Sequence, residues 1–184
     1  GANANCKPEY LVQFAQMGSI YMERIFGVQK PRIGLLSNGE EEAKGNTLTC
    51  ETHNLLKASK LNFIGNVEGN DLPDHKADVI VTDGFTGNIV LKVGEGIGDL
   101  IVRSIKTAIA QKPYLKPAAL LLKPTLYSAF KAVDYSEYGG APLLGVNGIV
   151  IIGHGRSDAK AIKNALYNAK RVVEQDLVNS IHKG

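Results

Sequence analysis

No disulfide framework, strong charge bias or membrane-length apolar run marks this 184-residue chain, and each absence removes a class of function. Cys6 and Cys50 stand alone, without CxxC spacing, which argues for a reducing, cytoplasmic setting and two ordinary thiols. The formal charge of +3 is too small, and the basic residues too scattered, for a nucleic-acid backbone surface. No apolar run reaches the length of a bilayer span. Gly1-Ala2-Asn3-Ala4-Asn5 has neither the charged nor the apolar region of a leader and no initiator methionine, so the chain is expected to be processed or cut from something longer. No His or Cys joins a carboxylate group at ligand spacing, and no metal is expected.

What remains is an ordinary globular composition: 44% hydrophobic and 21% charged residues, enough to bury a real core in one domain or a domain and a half. The stretch Asp78 to Lys92 sets the pattern. A β-branched run, Val79-Ile80-Val81, ends in Thr82-Asp83-Gly84, and Phe85-Thr86-Gly87-Asn88 leads into a helical segment. Ligands of open α/β sheets sit at the carboxyl ends of strands, and free N–H groups at a helix start suit an anion. The same residues also read as a plain turn in which Asp83 caps a helix.

Elsewhere the chain repeats strand, polar loop and helix. Pro8 begins a helix carrying Leu11, Val12, Phe14, Ala15, Ile20, Tyr21 and Ile25 at helical spacing, and Gly27 ends it. Ile33-Gly34-Leu35-Leu36 reads as a buried parallel strand. It delivers Ser37 to Asn46, where Glu40, Glu41 and Glu42 precede Lys44; this is either a site loop or a solvated charge run. Asn46 or Thr47 caps the next helix, in which His53 is a surface or packing residue. Leu61 to Gly65 is a second strand followed by a polar loop, Asn66 to Asp71, and His75 beside Pro73 is expected in solvent. Three polar loops should therefore share one sheet edge. Gly94-Glu95-Gly96-Ile97-Gly98 lies inside a helical segment, the wrong place for a dinucleotide loop. That amphipathic helix, with Ile97, Leu100, Ile101, Ile105, Ala108 and Ile109 on one face, runs to about Gln111, where Pro113 and Pro117 break it. The segment beyond, Leu115 to Phe130, is dense in leucine with flanking lysines, and suits a subunit interface or a membrane surface. A polar, Gly-rich loop follows from Asp134 to Pro142, with Leu143 and Leu144 expected to be buried. Ile149 to Ile152 is the most strand-like run, ending at His154 between two glycines. Ser157 caps a closing helix through Leu177.

Gly1-Ala2-Asn3, Cys6-Lys7-Pro8-Glu9, Gly39-Glu40-Glu41 with Lys44-Gly45-Asn46, Asn62 to Glu68, Thr82 to Asn88, Tyr138-Gly139-Gly140-Ala141, and His154-Gly155 with Ser157-Asp158 together resemble the PlsX family, in order and through essentially the whole chain. That family is the phosphate acyltransferase of bacterial phospholipid synthesis. The resemblance implies acyl transfer from an acyl carrier protein thioester to inorganic phosphate. It also implies a three-layer αβα fold, isocitrate/isopropylmalate dehydrogenase-like with a mostly parallel sheet. A homodimer, a cytoplasmic location with peripheral membrane contact, and no cofactor are expected with it. Family members are roughly twice as long, so residues 1–184 look like the carboxyl-terminal portion, a partial fold, with 95–132 as a helical segment for dimerisation or membrane contact.

The chemistry requires a cradle for phosphate, donors for a developing oxyanion and a proton for the leaving thiol, without an activated Ser or Cys nucleophile. Lys44 is the expected phosphate or carbonyl ligand. Asp83 orients Lys44 or a donor, and His154 is the candidate acid. Asn3, Asn46, Gly84, Thr86, Gly87 and Asn88 are expected to bind phosphate. Two rivals stay open: a phosphate acetyltransferase or NAD-dependent dehydrogenase of the same fold, and an inactive dimerisation or carrier-protein-binding fragment.

Overall fold

A computed structural model describes residues 3–112, 114, 116–131 and 139–184, without the side chains of 116, 123 and 126–131. The chain divides into two compact units, Gly1–Asn88 with Pro142–Val150 and Ala169–Gly184, and Ile89–Ala141 with Ile151–Asn168. Among the described residues no helix is long and apolar enough to cross a membrane.

The first unit is built on a parallel three-stranded sheet in the order β2-β1-β3. Strand β1 (Ile33–Leu36) is buried at all four positions, as a central strand covered on both faces must be. It pairs with β2 (Phe63–Val67) on one side and β3 (Val79–Val81) on the other, Leu35 lying opposite both Asn66 and Val81. Because all three strands run parallel, their carboxyl ends share one edge, as the repeated strand-and-loop pattern implies. Arg32 and Asp78 close the opposite edge with a 2.9 Å ion pair, and the Arg32 backbone N–H donates to the same carboxylate. Helix α1 (Pro8–Phe26) begins at Pro8 and stops at Gly27, whose N–H donates to the Glu23 carbonyl. It lies against β3 at Gly18, where a Cβ would stand 2.6 Å from Val79 Cγ1. Helix α2 (Thr47–Ala58) contributes Leu56, which joins Leu11, Ala15, Ile33, Leu35 and Val81 in one buried cluster.

Strand β2 departs from the sequence reading. Asn66 and Val67, assigned above to a polar loop, lie inside the strand, and the loop starts at Glu68. Ile33 pairs with Phe63 but Gly34 with Gly65, so β2 carries one extra residue there. Gly65 takes up the bulge at φ +104, a conformation that side chains rarely adopt, and pairing with β1 then continues through Val67. Beyond it lies a 3₁₀ turn, Gly69–Asp74, and His75 is exposed as expected.

Helix α3 (Gly84–Gln111) starts directly at the turn after β3 and contains Gly94, Gly96 and Gly98, in agreement with their rejection as a nucleotide loop. Its apolar face remains about half exposed at Ile97, Leu100 and Ile101. Helix α4 (Lys116–Lys131) admits Pro117 in its first turn, where a proline's missing N–H costs no helical bond. The expectations for residues 132–138, 113 and 115, and for Gly1 and Ala2, fall outside the described residues.

Four further readings are corrected. The run Ile149 to Ile152 yields only a two-residue strand, β5 (Ile151–Ile152), paired with β4 (Ala141–Pro142); Ile149, Val150 and Ile152 remain substantially exposed because so short a partner covers little of it. Leu143 and Leu144 are half-buried. The closing helix is two helices, α5 (Ala159–Glu174) and α6 (Leu177–Lys183), separated at Asp176, whose φ of 48 is incompatible with helix continuation. Asp158, not Ser157, caps α5: its Oδ1 accepts the Ala161 N–H at 2.8 Å, three residues on. Leu177, Val172 and Ile25 form a second buried cluster.

Leu35→Ala should destabilise the protein by about 2–5 kcal/mol, since a fully buried central side chain leaves a cavity between helix and sheet. Urea unfolding measures it; a loss below about 1 kcal/mol would mean that the β1 cluster is not the core.

Candidate functional site

The carboxyl edge of the β2-β1-β3 sheet carries Lys44, Asn46 and the Asp83–Asn88 turn among the residues singled out from the sequence. From β1 comes the Ser37–Asn46 loop. Gly45 is its hinge, at φ +119, where an added Cβ would fall 1.9 Å from Thr49 Oγ1. The Lys44 carbonyl accepts from the Ser37 hydroxyl at 3.1 Å, and the Lys44 N–H donates to the Glu41 carbonyl at 2.9 Å. Both backbone groups of Lys44 are therefore held. Its side chain lines a cavity of about 420 Å³ with Asn38, Gly39, Glu40, Glu41 and Glu68, and among the described residues it makes no ion pair.

The glutamates around Lys44 do not behave as a free charge run. Glu40 pairs with Lys76, which also reaches Asp71 at 3.3 Å, and Glu42 pairs with Lys57 at 2.6 Å. The Lys76 ammonium is held above its ordinary pKa, first by the Glu40 hydrogen bond and then, against partial desolvation, by Asp71 and the charges of both carboxylates. Neither lysine stands near its partner in sequence, so pattern reading could not find them. Glu41 and Glu68 line the same cavity as Lys44.

Asn46 caps α2, its Oδ1 accepting the Thr49 N–H at 2.9 Å. His53, one turn further into α2, is 3% exposed and packs edge-on against Phe63, which settles its two open readings in favour of packing. Its Nδ1 lies 2.9 Å from Asn66 Oδ1.

After β3, Asp83 caps α3 with both carboxylate oxygens. Oδ1 accepts the Thr86 N–H at 2.9 Å and Oδ2 the Thr86 hydroxyl at 2.7 Å. The Gly84 N–H donates to the Asn3 carbonyl, and the Gly87 N–H to the Asp83 carbonyl. Three N–H groups at the start of α3 are thus already satisfied within the chain, and Asn88 lies exposed on the next turn. Burial alone would raise the Asp83 pKa, but the Thr86 N–H and hydroxyl, the Phe85 N–H and its own N–H outweigh it and hold the carboxyl below its ordinary value.

Lys44, Asn46, Asn3 and the Asp83–Asn88 turn belong to the first unit; His154 belongs to the second. His154 is half-buried. Its Nδ1 accepts the Arg156 N–H at 3.1 Å, so in the neutral ring the proton sits on Nε2, 3.9 Å from Glu95 Oε2. Among the described residues no cluster of His, Cys, Asp and Glu could hold a metal ion.

Residues 1–180 match the family described as "Fatty acid synthesis protein", and the chain belongs to that family. It is 58% identical to a phosphate acyltransferase of Dehalococcoides mccartyi over 95% of this chain and 51% of that protein. A phosphate acyltransferase of Thermodesulfovibrio yellowstonii is 54% identical over 98% of this chain and 52% of its own length. One from a Nitratiruptor species is 53% identical over 100% of this chain and 55% of its own length. The chain therefore spans about half the length of the curated relatives it matches.

Asp83→Ala should cost about 1 kcal/mol at neutral pH through loss of the α3 cap. Because the folded-state pKa is depressed, this contribution is complete above about pH 4 and is lost as pH falls through the lower folded value. Urea titrations of wild type and variant should converge in acid; a gap that persists unchanged at pH 2 would exclude a charged cap.

Proposed function

We propose that this member of the fatty acid synthesis protein family is the carboxyl-terminal portion of an acyltransferase that moves a fatty acyl group from an acyl carrier protein thioester to inorganic phosphate, giving acyl phosphate. The observation that carries the reading is Lys44, which lines the edge cavity and makes no ion pair among the described residues, while its backbone is fixed on both sides. An ammonium held this way can take a phosphate oxygen or polarise a thioester carbonyl. Similarity to phosphate acyltransferases over 95–100% of the chain supplies the reaction class.

In this scheme phosphate oxygen forms a bond to the thioester carbonyl carbon, and the carbon–sulfur bond breaks as the tetrahedral intermediate collapses. The departing sulfur takes a proton from His154, the candidate acid, which can donate one in its imidazolium form. Asp83 acts by orienting Thr86 and the start of α3. Asn3, Asn46, Gly84, Thr86, Gly87 and Asn88 form the phosphate wall, the first five by shaping the loop backbones and Asn88 through an exposed amide. Glu41 and Glu68 line the same cavity and set a limit on this wall, since one lysine among such carboxylates attracts a dianion weakly. Further donors must therefore come from the rest of the protein, which also completes a three-layer αβα sheet of the isocitrate/isopropylmalate dehydrogenase kind. Within 95–132, Leu120, Leu121 and Leu122 on α4 are 71%, 82% and 55% exposed, a surface that suits a homodimer contact and a peripheral membrane contact.

An assay of acyl carrier protein thioester and phosphate, on the full-length protein carrying this chain, tests the function. Lys44→Ala should reduce acyl phosphate formation by about 100-fold or more with unchanged urea stability; near-normal turnover overturns the assignment. Activity with acetyl-CoA instead would favour an acetyltransferase, nucleotide binding a dehydrogenase, and no activity in either half-chain or whole protein a silent binding module. Leu121→Glu with Leu122→Glu should abolish sedimentation with anionic liposomes, and unaltered binding excludes α4 as the membrane contact.

A further inference from the structure

We propose that His53 and Asn66 are positioning residues for Lys44, acting through one shared carbonyl; the inference rests on the role given to Lys44 above. The Glu41 carbonyl accepts two hydrogen bonds, from Lys44 N–H at 2.9 Å and from Asn66 Nδ2 at 2.8 Å. A carbonyl can only accept, so the Asn66 amide must turn its NH₂ toward Glu41 and its oxygen toward His53. His53 Nδ1, 2.9 Å from that oxygen, must then carry a proton. The chain of donors runs from His53 to Asn66 to the Glu41 carbonyl, which Lys44 shares.

The pair is deeply enclosed: His53 is 3% and Asn66 5% exposed. Burying an imidazole and an amide where two aliphatic side chains would fit costs stability unless each polar atom is satisfied. The fold also departs from regular geometry to make the contact. Phe63 and Asn66 both touch His53, yet an odd spacing places two residues on opposite faces of a regular strand. The extra residue in β2, with Gly65 at φ +104, reverses the alternation and brings both to the His53 side. The remaining ring nitrogen, Nε2, lies 4.0 Å from Glu42 Oε1, so the His53–Asn66 pair meets the Lys44 loop at two successive residues, Glu41 through Asn66 and Glu42 through His53.

The test uses full-length protein carrying Asn66→Ala, His53→Leu or His53→Asn. An asparagine amide can stand where Nδ1–H stands, so His53→Asn is the conservative variant. Two readouts are taken: hydrogen exchange at the Lys44 amide, with the Leu35 and Val81 amides as controls, and saturation curves for phosphate and acyl thioester. Asn66→Ala and His53→Leu should speed Lys44 exchange about tenfold with the controls unchanged. They should also raise the KM for phosphate about tenfold while leaving that for acyl thioester unchanged. His53→Asn should restore both. Unchanged Lys44 exchange, or failure of His53→Asn to differ from His53→Leu, overturns the proposal. If Asn66→Ala does not fold, the two His53 variants decide alone. If exchange responds as expected but Lys44→Ala turns over normally, positioning stands and the catalytic reading of Lys44 falls.

Discussion

Parallel pairing of β1 on both sides is the constraint on which the first unit depends. A strand buried at four successive positions has no solvent face, so its ends are the only places where polar chain can leave. With β2 and β3 hydrogen-bonded in the same direction, three loops emerge at one edge and the Arg32–Asp78 pair lies at the other. The polar loops of this sheet are thereby gathered at one edge before any particular side chain is considered.

At that edge the loops are held by different means. The β1 loop is tied through its backbone, by Ser37 on the Lys44 carbonyl and by Asn66 through Glu41, and through its carboxylates, by Lys57 and Lys76. The β3 turn is tied by a cap that uses both oxygens of Asp83. Exposed ion pairs contribute little each, whereas the enclosed His53–Asn66 contact leaves unsatisfied buried groups if broken. The backbone hydrogen bonds and that enclosed contact therefore dominate the geometry around Lys44. Among the described residues the Lys44 ammonium makes no ion pair, so its place is set by the backbone bonds on either side of it.

Local signals carried far into the architecture. Pro8 and Gly27 bound α1, Ile33 to Leu36 form the buried strand, and Asp83 and Asn46 stand at helix starts because such residues satisfy N–H groups nearby. Asp83 also illustrates a limit: phosphate cradle and helix cap demand the same residue types, and only the bonds to Thr86 show that the cap is formed. Pairing beyond a few residues was hidden. Asn66 and Val67 looked like loop because polarity and glycine precede them, and a bulge cannot be seen without the partner strand. Ile149 to Ile152 failed in the opposite sense, strand-like in composition but with a two-residue partner.

The sequence by itself determined an α/β fold, most of its helices and the three strands of the parallel sheet, the helical setting of Gly94 to Gly98, and the family, because periodicity, caps and motif order are local properties written along the chain. Tertiary structure alone decided that His53 is enclosed and hydrogen-bonded to Asn66, that Glu42 and Glu40 of the β1 loop are paired with Lys57 and Lys76, and that Lys44 is left without an ion pair among the described residues. Those outcomes depend on which distant side chains a parallel sheet brings to a common edge, and no spacing along one strand encodes that distance.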